Sequence, residues 1–157
     1  MDDASRLAEI LVFAKRTAYR SIFRNDKVSF GEMQVLPLAL AFLNDPGLLE
    51  NTLVFDDEFV KGMINTNEST DKDGTRILEI KELYVDPFFQ GDGIGGKLLS
   101  AIQTGSQSRG IAAVFLWVLE KNEKARKFYE KHGFILTDER EPEEGTAEFI
   151  VKYVKKM

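Results

Sequence analysis

The stretch "LYVDPFFQGDGIGGKLLSAI", Leu83 to Ile102, joins a strand-like run to a helix-like run through a turn that holds four glycines in six residues. Ile94, Leu98, Leu99 and Ile102 recur at helical spacing, so the helix begins inside the glycine run. A strand that turns on glycine into a helix is a building unit of α/β proteins. Working outward, "TRILEIKELYV", Thr75–Val85, extends the strand upstream, and "TLVFDDEFVKGMINTN", Thr52–Asn67, reads as a hairpin turning at Asp56 and Asp57. Downstream, "IAAVFLWVL", Ile111–Leu119, is an unbroken apolar run of the kind a strand covered on both faces requires. "NEKARKFYEKHG" then predicts a helix with Asn122 at its N-cap and Gly133 at its C-cap. "FILT" and "TAEFIVKYV" close the chain as strands, and "KYVKKM", Lys152–Met157, reads as a short basic solvated tail.

At the other end, "ASRLAEILVFAKRTAYRSIF" carries Leu7, Ile10, Leu11 and Ala14 at helical spacing, with Phe13 on the flank. A second helix is expected from "SFGEM", where Ser29 and Glu32 form a capping box, to Asn44 before "NDPG". Pro37 inside it should kink or split it. The order is helix, helix, three strands, helix, strand, helix, two strands, which is α/β with a mixed sheet.

Composition narrows the chemistry. With 157 residues the chain is expected to form one domain, residues 1–157, with a sizeable core. Hydrophobic residues make up 43% and charged residues 30%, an ordinary globular balance. No apolar run approaches the roughly 20 residues of a membrane span, and the start "MDDASRLAEI" is acidic where a signal peptide would be basic. The absence of cysteine rules out disulfides, thiolate metal sites and a cysteine acyl-enzyme, and it fits a cytoplasmic protein. A single histidine, His132, argues against a histidine-built metal site or a Ser-His-Asp triad, and its place at a helix end suits a cation at the dipole. The net charge of −5 argues against a nucleic-acid partner. No metal and no membrane partner are expected.

Two ligand-binding readings of the glycine turn compete. Gly91, Gly93 and Gly96 match G-x-G-x-x-G, and Glu120 ends the next strand, where a dinucleotide fold would hold a ribose. Three features oppose an NAD-dependent oxidoreductase. "DPFFQ" separates the strand from the first glycine, too little chain follows for a doubly wound sheet, and the strands upstream form an antiparallel meander. A plain solvent loop is the other alternative, but four glycines opening an apolar helix would then lower stability with nothing gained. A turn with few side chains exposes successive backbone N–H groups, and the helix start adds its positive dipole end; together they suit a diphosphate.

Gln90, Gly93 and Gly95 also read as Q-x-x-G-x-G. With "LYVDPFFQGDGIGGKLL" and "LWVLEKNEKARKFYEKHGF" in this order and spacing, the chain resembles the GNAT acetyltransferase superfamily. The likeness covers residues 51–137 well and the two N-terminal helices loosely. It implies a GNAT-like domain with splayed central strands and acetyl-CoA as co-substrate. Gln90, Gly91, Asp92 and Gly93 would form the diphosphate turn, followed by Ile94, Gly95, Gly96 and Lys97 in the first helical turn. Asp92 departs from the family pattern, where a basic or neutral residue is common. Leu83, Tyr84 and Val85 would pair their backbone with the pantetheine arm as an added strand.

The same resemblance makes Asn122 a holder of that arm, sharing a helix face with Ala125, Tyr129 and roughly Phe128. Tyr129 would protonate the departing thiolate, a role suited to tyrosine, whose reference pKa is about 10. Glu79 is the first candidate for the general base, with Glu82 and ordered water as alternatives. Trp117 stands where some relatives that acetylate protein N-termini carry a glutamate, and it reads as core. The acceptor would be a small-molecule, peptide or protein amine, framed by the first two helices. Phe13, Tyr19, Arg20 and Phe23 are candidate lining residues, though the same spacing serves a core-and-surface helix. A non-catalytic acyl-CoA-binding module is the rival that keeps the loop. The family usually opens with a strand, and here helical sequence starts almost at once. Either that strand is missing or the true start lies upstream; the expectation is a sheet without its first strand, the edge bare or covered by a second subunit in a homodimer.

Overall fold

A computed structural model of the chain describes residues 3–24 and 34–157. In chain order the elements are α1 (Asp3–Phe23), α2 (Val35–Asn44), β1 (Thr52–Asp57), β2 (Phe59–Thr70), β3 (Arg76–Val85), α3 (Ile94–Ser108), β4 (Ala113–Leu119), α4 (Glu123–Lys131), β5 (Ile135–Pro142) and β6 (Phe149–Lys156). This is the expected order, with short 3-10 turns added at Pro46–Leu49 and Pro87–Phe89. Six strands make one hydrogen-bonded sheet in the order β1-β2-β3-β4-β6-β5. β1 with β2, β4 with β6 and β5 with β6 run antiparallel, whereas β3 and β4 run parallel, so the sheet is mixed. The parallel pair is the one bridged by α3, because parallel strands need a long crossover. Its ladder runs only from Ile77↔Ala113 to Ile80↔Leu116, while β3 continues to Val85 and β4 to Leu119. Asp3 opens α1, so among the described residues no strand precedes the first helix.

The residues divide into two compact units. One takes the described residues up to Asn65 together with Glu82–Leu99; the other takes Thr66–Lys81 and Ser100–Met157. In the first, Leu7, Ile10, Leu11 and Ala14 form the buried stripe of α1, and Phe13 on the flank stays 47% exposed. The stripe packs with Ala39 and Phe42 of α2 and Val60 and Met63 of β2. Each buried Leu, Ile, Phe, Val or Met side chain among them contributes about 1.5–3 kcal/mol of burial, and the alanines less. Gly62 lets β2 approach α3 closely, since a Cβ there would lie 3.0 Å from Ile94 Cγ2 and 3.1 Å from the Tyr84 carbonyl oxygen.

Two expectations for this unit need correction. α2 starts at Val35, after an extended Gln34 (φ −116°, ψ 144°), and not near Ser29, so Pro37 is its third residue, where the missing N–H has no intrahelical acceptor to lose. The β1–β2 turn falls one residue late, at Glu58 (φ +65°), because a register shift between Phe55 and Asp56 lets Asp57 pair with Phe59. The Ser29–Glu32 capping box lies outside the described residues.

In the second unit Val114, Leu116 and Val118 of β4 are buried, as are Val151 and Tyr153 of β6. Asn122 caps α4 by accepting from the Ala125 N–H at 3.2 Å. The helix ends as predicted at Gly133 (φ +84°). Gly133 N–H donates to Glu130 O and Phe134 N–H to Tyr129 O, a Schellman closure, with the Tyr129 and Phe134 rings 5.7 Å apart. His132 sits at that end with Nδ1 2.8 Å from Phe128 O. The basic "tail" is a correction: Lys152–Lys156 belongs to β6 and alternates, so Tyr153 is fully buried while Lys152 pairs with Glu139. Trp117 is half-buried, with Lys152 Nζ 5.8 Å from its ring centroid.

Candidate functional site

The glycine turn is fixed at its entrance by a buried carboxylate. Asp86 follows β3, and its side chain accepts from the Phe88 N–H at 2.9 Å, starting the Pro87–Phe89 turn. Arg6 of α1 pairs with Asp86 and also donates to Val60 O at 2.9 Å. The Asp86 N–H donates to Lys61 O at 2.9 Å. Gln90 then reaches back toward the Val85 carbonyl, 3.4 Å from its Nε2.

Gly91 (φ +101°) and Gly93 (φ +77°) take backbone conformations that side chains resist, and no heavy atom lies within 4 Å of a Cβ built on either. Their glycine identity is therefore demanded by the turn and not by crowding within the protein. The first helical bond of α3 runs from Lys97 N–H to Gly93 O at 3.0 Å. The N–H groups of Ile94, Gly95 and Gly96 consequently have no acceptor within the helix. Asp92 is exposed. Lys97 is exposed as well, its ammonium 5.1 Å from the Phe55 ring centroid.

At the end of β3 the first unit holds a polar cluster. Glu82 pairs with Lys15 at 2.8 Å, and the Tyr84 and Tyr19 hydroxyls lie 3.1 Å apart. Burial pushes the Tyr84 phenol well above its ordinary pKa, and the neighbouring Tyr19 and Glu82 push in the same direction. Lys15 and Glu82 also line a cavity of about 470 Å³ walled by α1, α2, the Pro46–Leu49 turn, β1 and β2. Leu11, Leu38, Phe42, Leu49 and Met63 give it an apolar wall, and Gln34, Thr52 and Asn65 add neutral polar groups.

In the second unit Tyr129 is buried on α4, its ring 5.2 Å from Phe128. Asn122 and Ala125 are half-buried, about two turns and one turn nearer the N-terminus of that helix. α4 is fastened from below: Arg126 donates to the Tyr153 hydroxyl and to Glu120 O, both at 3.0 Å, and that hydroxyl donates to Glu130 at 2.6 Å. Burial and the bond to Glu130 raise the Tyr153 pKa despite the opposing guanidinium.

Glu79 stands beside Lys81 at 3.2 Å, in register with Phe115. Of the helix residues expected to frame an acceptor, Tyr19 joins the Tyr84 cluster, Phe23 packs on Tyr19 at 5.6 Å, and Phe13 is exposed. Phe13, Tyr19, Arg20 and Phe23 are all absent from the cavity wall. Sequence reasoning missed Lys15, Asn65 and the Arg6–Asp86 pair. The Asp-Pro step did signal a turn at 86–87, but nothing local announces an ion pair between residues 67 apart, as Lys15 and Glu82 are. Among the described residues no group of three or more His, Cys, Asp or Glu could hold a metal ion, and no helix is long and apolar enough to cross a membrane.

The profile of the acetyltransferase (GNAT) family matches residues 16–134. An uncharacterized N-acetyltransferase of Methanocaldococcus jannaschii is 41% identical over 58 residues, which is 37% of this chain and 26% of that protein. Among solved structures, Arabidopsis thaliana Naa50 in complex with a bisubstrate analogue aligns with TM-score 0.65 at 22% identity, covering 100% of this chain and 95% of that one. The PaiA N-acetyltransferase of Thermoplasma acidophilum, in complex with coenzyme A, gives TM-score 0.65 at 21% identity over 98% and 94%. At these identities the structural likeness is one of fold.

Proposed function

The chain belongs to the acetyltransferase (GNAT) family, and on that premise we propose that it is an N-acetyltransferase using acetyl-CoA as co-substrate. The observation that carries this reading is the turn from Gly91 to Gly96. Its two left-handed glycines face open space, and three successive N–H groups at the start of α3 lack helical acceptors. Such a cradle fits a diphosphate, since anions favour the positive end of a helix dipole.

Bound acetyl-CoA would supply an activated acyl thioester. The amides of the turn hold its diphosphate, and Lys97 adds positive charge one turn in. Leu83–Val85, beyond the last rung of the ladder with β4, offer backbone groups to the pantetheine arm. Asn122, whose side-chain oxygen is engaged by its own cap, presents its NH₂ group to the same arm. The acceptor amine loses a proton, its nitrogen bonds to the acyl carbon, and the carbon–sulfur bond breaks. Tyr129 gives a proton to the sulfur. For the amine's proton we favour Glu82, because it lines a cavity sized for a ligand and Glu79 does not; each carboxylate has a lysine partner, Lys15 at 2.8 Å and Lys81 at 3.2 Å. We read residues 1–157 as one acetyltransferase domain acting in the cytoplasm, the compartment that suits a chain without cysteine.

The test is a thermal-shift screen with acetyl-CoA, desulfo-CoA and NAD, followed by free-thiol release over a panel of amines. Stabilisation by both coenzyme A compounds and thiol release with an amine are expected. Stabilisation by NAD alone would end the proposal, and binding without turnover of any amine would leave a coenzyme A-binding module in its place.

A further inference from the structure

Resting on the acetyltransferase reading, we infer that the acceptor is a free α-amino acid with an apolar side chain, held as a zwitterion between Glu82 and Lys15. The cavity of about 470 Å³ is within the range of small-molecule sites, about 300–1,000 Å³. Among the described residues its wall carries one anion, Glu82, and one cation, Lys15, and they meet at 2.8 Å. The charges of the empty cavity are thus already balanced. A neutral occupant keeps that balance, and a charged one keeps it only if it brings one charge of each sign.

A carboxylate accepts at about four positions and an ammonium donates three protons, so each partner can take a further bond without releasing the other. The ligand's ammonium meets Glu82, its carboxylate meets Lys15, and signs alternate around the four groups. A simple alkylamine would place a second cation beside Lys15 with no added anion, and a diamine would place two. An N-terminal residue of a peptide brings the ammonium but no adjacent carboxylate.

The remaining wall selects the side chain. Leu11, Leu38, Phe42 and Met63 would desolvate a charged group without compensation, so they admit an aliphatic one. Asn65 is committed: its Nδ2 donates to Glu50 O and Thr52 Oγ1, both at 2.8 Å, which makes it a fixed part of the wall. In the reaction the α-nitrogen bonds to the acyl carbon and the carbon–sulfur bond breaks. The ammonium first gives one proton to water to become the nucleophile, its second leaving proton passes to Glu82 as the amide forms, and the sulfur takes one from the acid proposed above, Tyr129, giving the N-acetyl amino acid and free coenzyme A.

The experiment compares leucine, leucinamide, 3-methylbutylamine and a diamine as acceptors for the full chain with acetyl-CoA, read by thiol release. A charge-assisted contact to the carboxylate should favour leucine by about 10- to 100-fold in kcat/KM over leucinamide and 3-methylbutylamine. In Lys15→Met the ratio of leucine to leucinamide should fall to about one, and Lys15→Arg should restore it. Equal use of leucine and leucinamide, or preference for leucinamide or the diamine, overturns the inference while acetyl transfer itself stands. Where no amine releases thiol, calorimetric titration of the protein with leucine and leucinamide decides the same point by binding. Tighter binding of leucine then means that the acetyltransferase reading alone has failed, and equal binding of the two overturns the zwitterion site as well.

Discussion

Replacing Gly93 with alanine separates what the turn's backbone requires from what its ligand requires. Gly93 has φ +77°, and nothing in the protein lies within 4 Å of an added Cβ. Its cost to the free protein is therefore conformational alone, about 1–2 kcal/mol for a left-handed non-glycine residue. For a chain of 157 residues, each kcal/mol moves Tm by about 2–4 °C, so the drop should be about 2–8 °C. Gly74 supplies a matched control: it has φ +81° and equally open surroundings, in the β2–β3 turn. Gly74→Ala should lose the same stability. Coenzyme A affinity should divide the two variants. Displacing the phosphate from even one backbone N–H forfeits a charge-assisted bond worth about 1.5–3 kcal/mol, or roughly 10- to 150-fold in Kd. Calorimetric titration with coenzyme A should find that loss in Gly93→Ala and none in Gly74→Ala. Equal affinity in both variants would refute the assignment of the turn as the diphosphate site.

Tyr129→Phe should lower kcat by about 10²- to 10⁴-fold with coenzyme A affinity intact; a variant that matches the parent protein across the pH range removes Tyr129 from the chemistry. Glu82→Gln should reduce kcat/KM by about 100-fold and Glu79→Gln by no more than about twofold, and the reverse ranking in steady-state assays would return the base to Glu79. Asn122→Ala should cost about 1 kcal/mol of stability through the lost cap. Asn122→Asp keeps that cap yet should weaken coenzyme A binding, a combination that a purely capping role does not produce. Tyr84 keeps its proton in the folded protein to a pH where the unfolded chain, with a tyrosine pKa of about 10, has released it. The stability from this difference is whole below about pH 10 and is lost as pH climbs toward the folded value. Tyr84→Phe should flatten the alkaline slope of urea-melt stability by up to about 1.4 kcal/mol per pH unit, and unchanged slopes would show that Tyr84 is not the group responsible.

Much of the fold is readable in the chain because its signals are local. The stripe from Leu7 to Ala14, the Asn122 cap and Gly133 closure of α4, and the apolar run of β4 each announce an element within a dozen residues. The glycine turn is readable for the same reason, since its positive φ values are written as glycine. Errors arise where neighbours decide. Pro37 looks disruptive until its place in the first turn of α2 is known, and the alternating Lys152, Tyr153 and Lys155 look like a solvated tail until β4 supplies a partner strand. The cavity beside Lys15 and Glu82 is least legible, because Lys15, Thr52, Asn65 and Glu82 come from four separate elements and share no spacing.

The Arg6–Asp86 pair joins positions 80 residues apart in the chain. Contacts of such separation close after nearby ones, because the entropy of a large loop must be overcome first. The turn that begins at Asp86 should therefore acquire its final shape late in folding, after α1 has returned to meet it. A nascent or refolding chain would build its helices before it could recognise coenzyme A, and an amino-terminal truncation that removes Arg6 would blunt recognition at a loop far along the sequence.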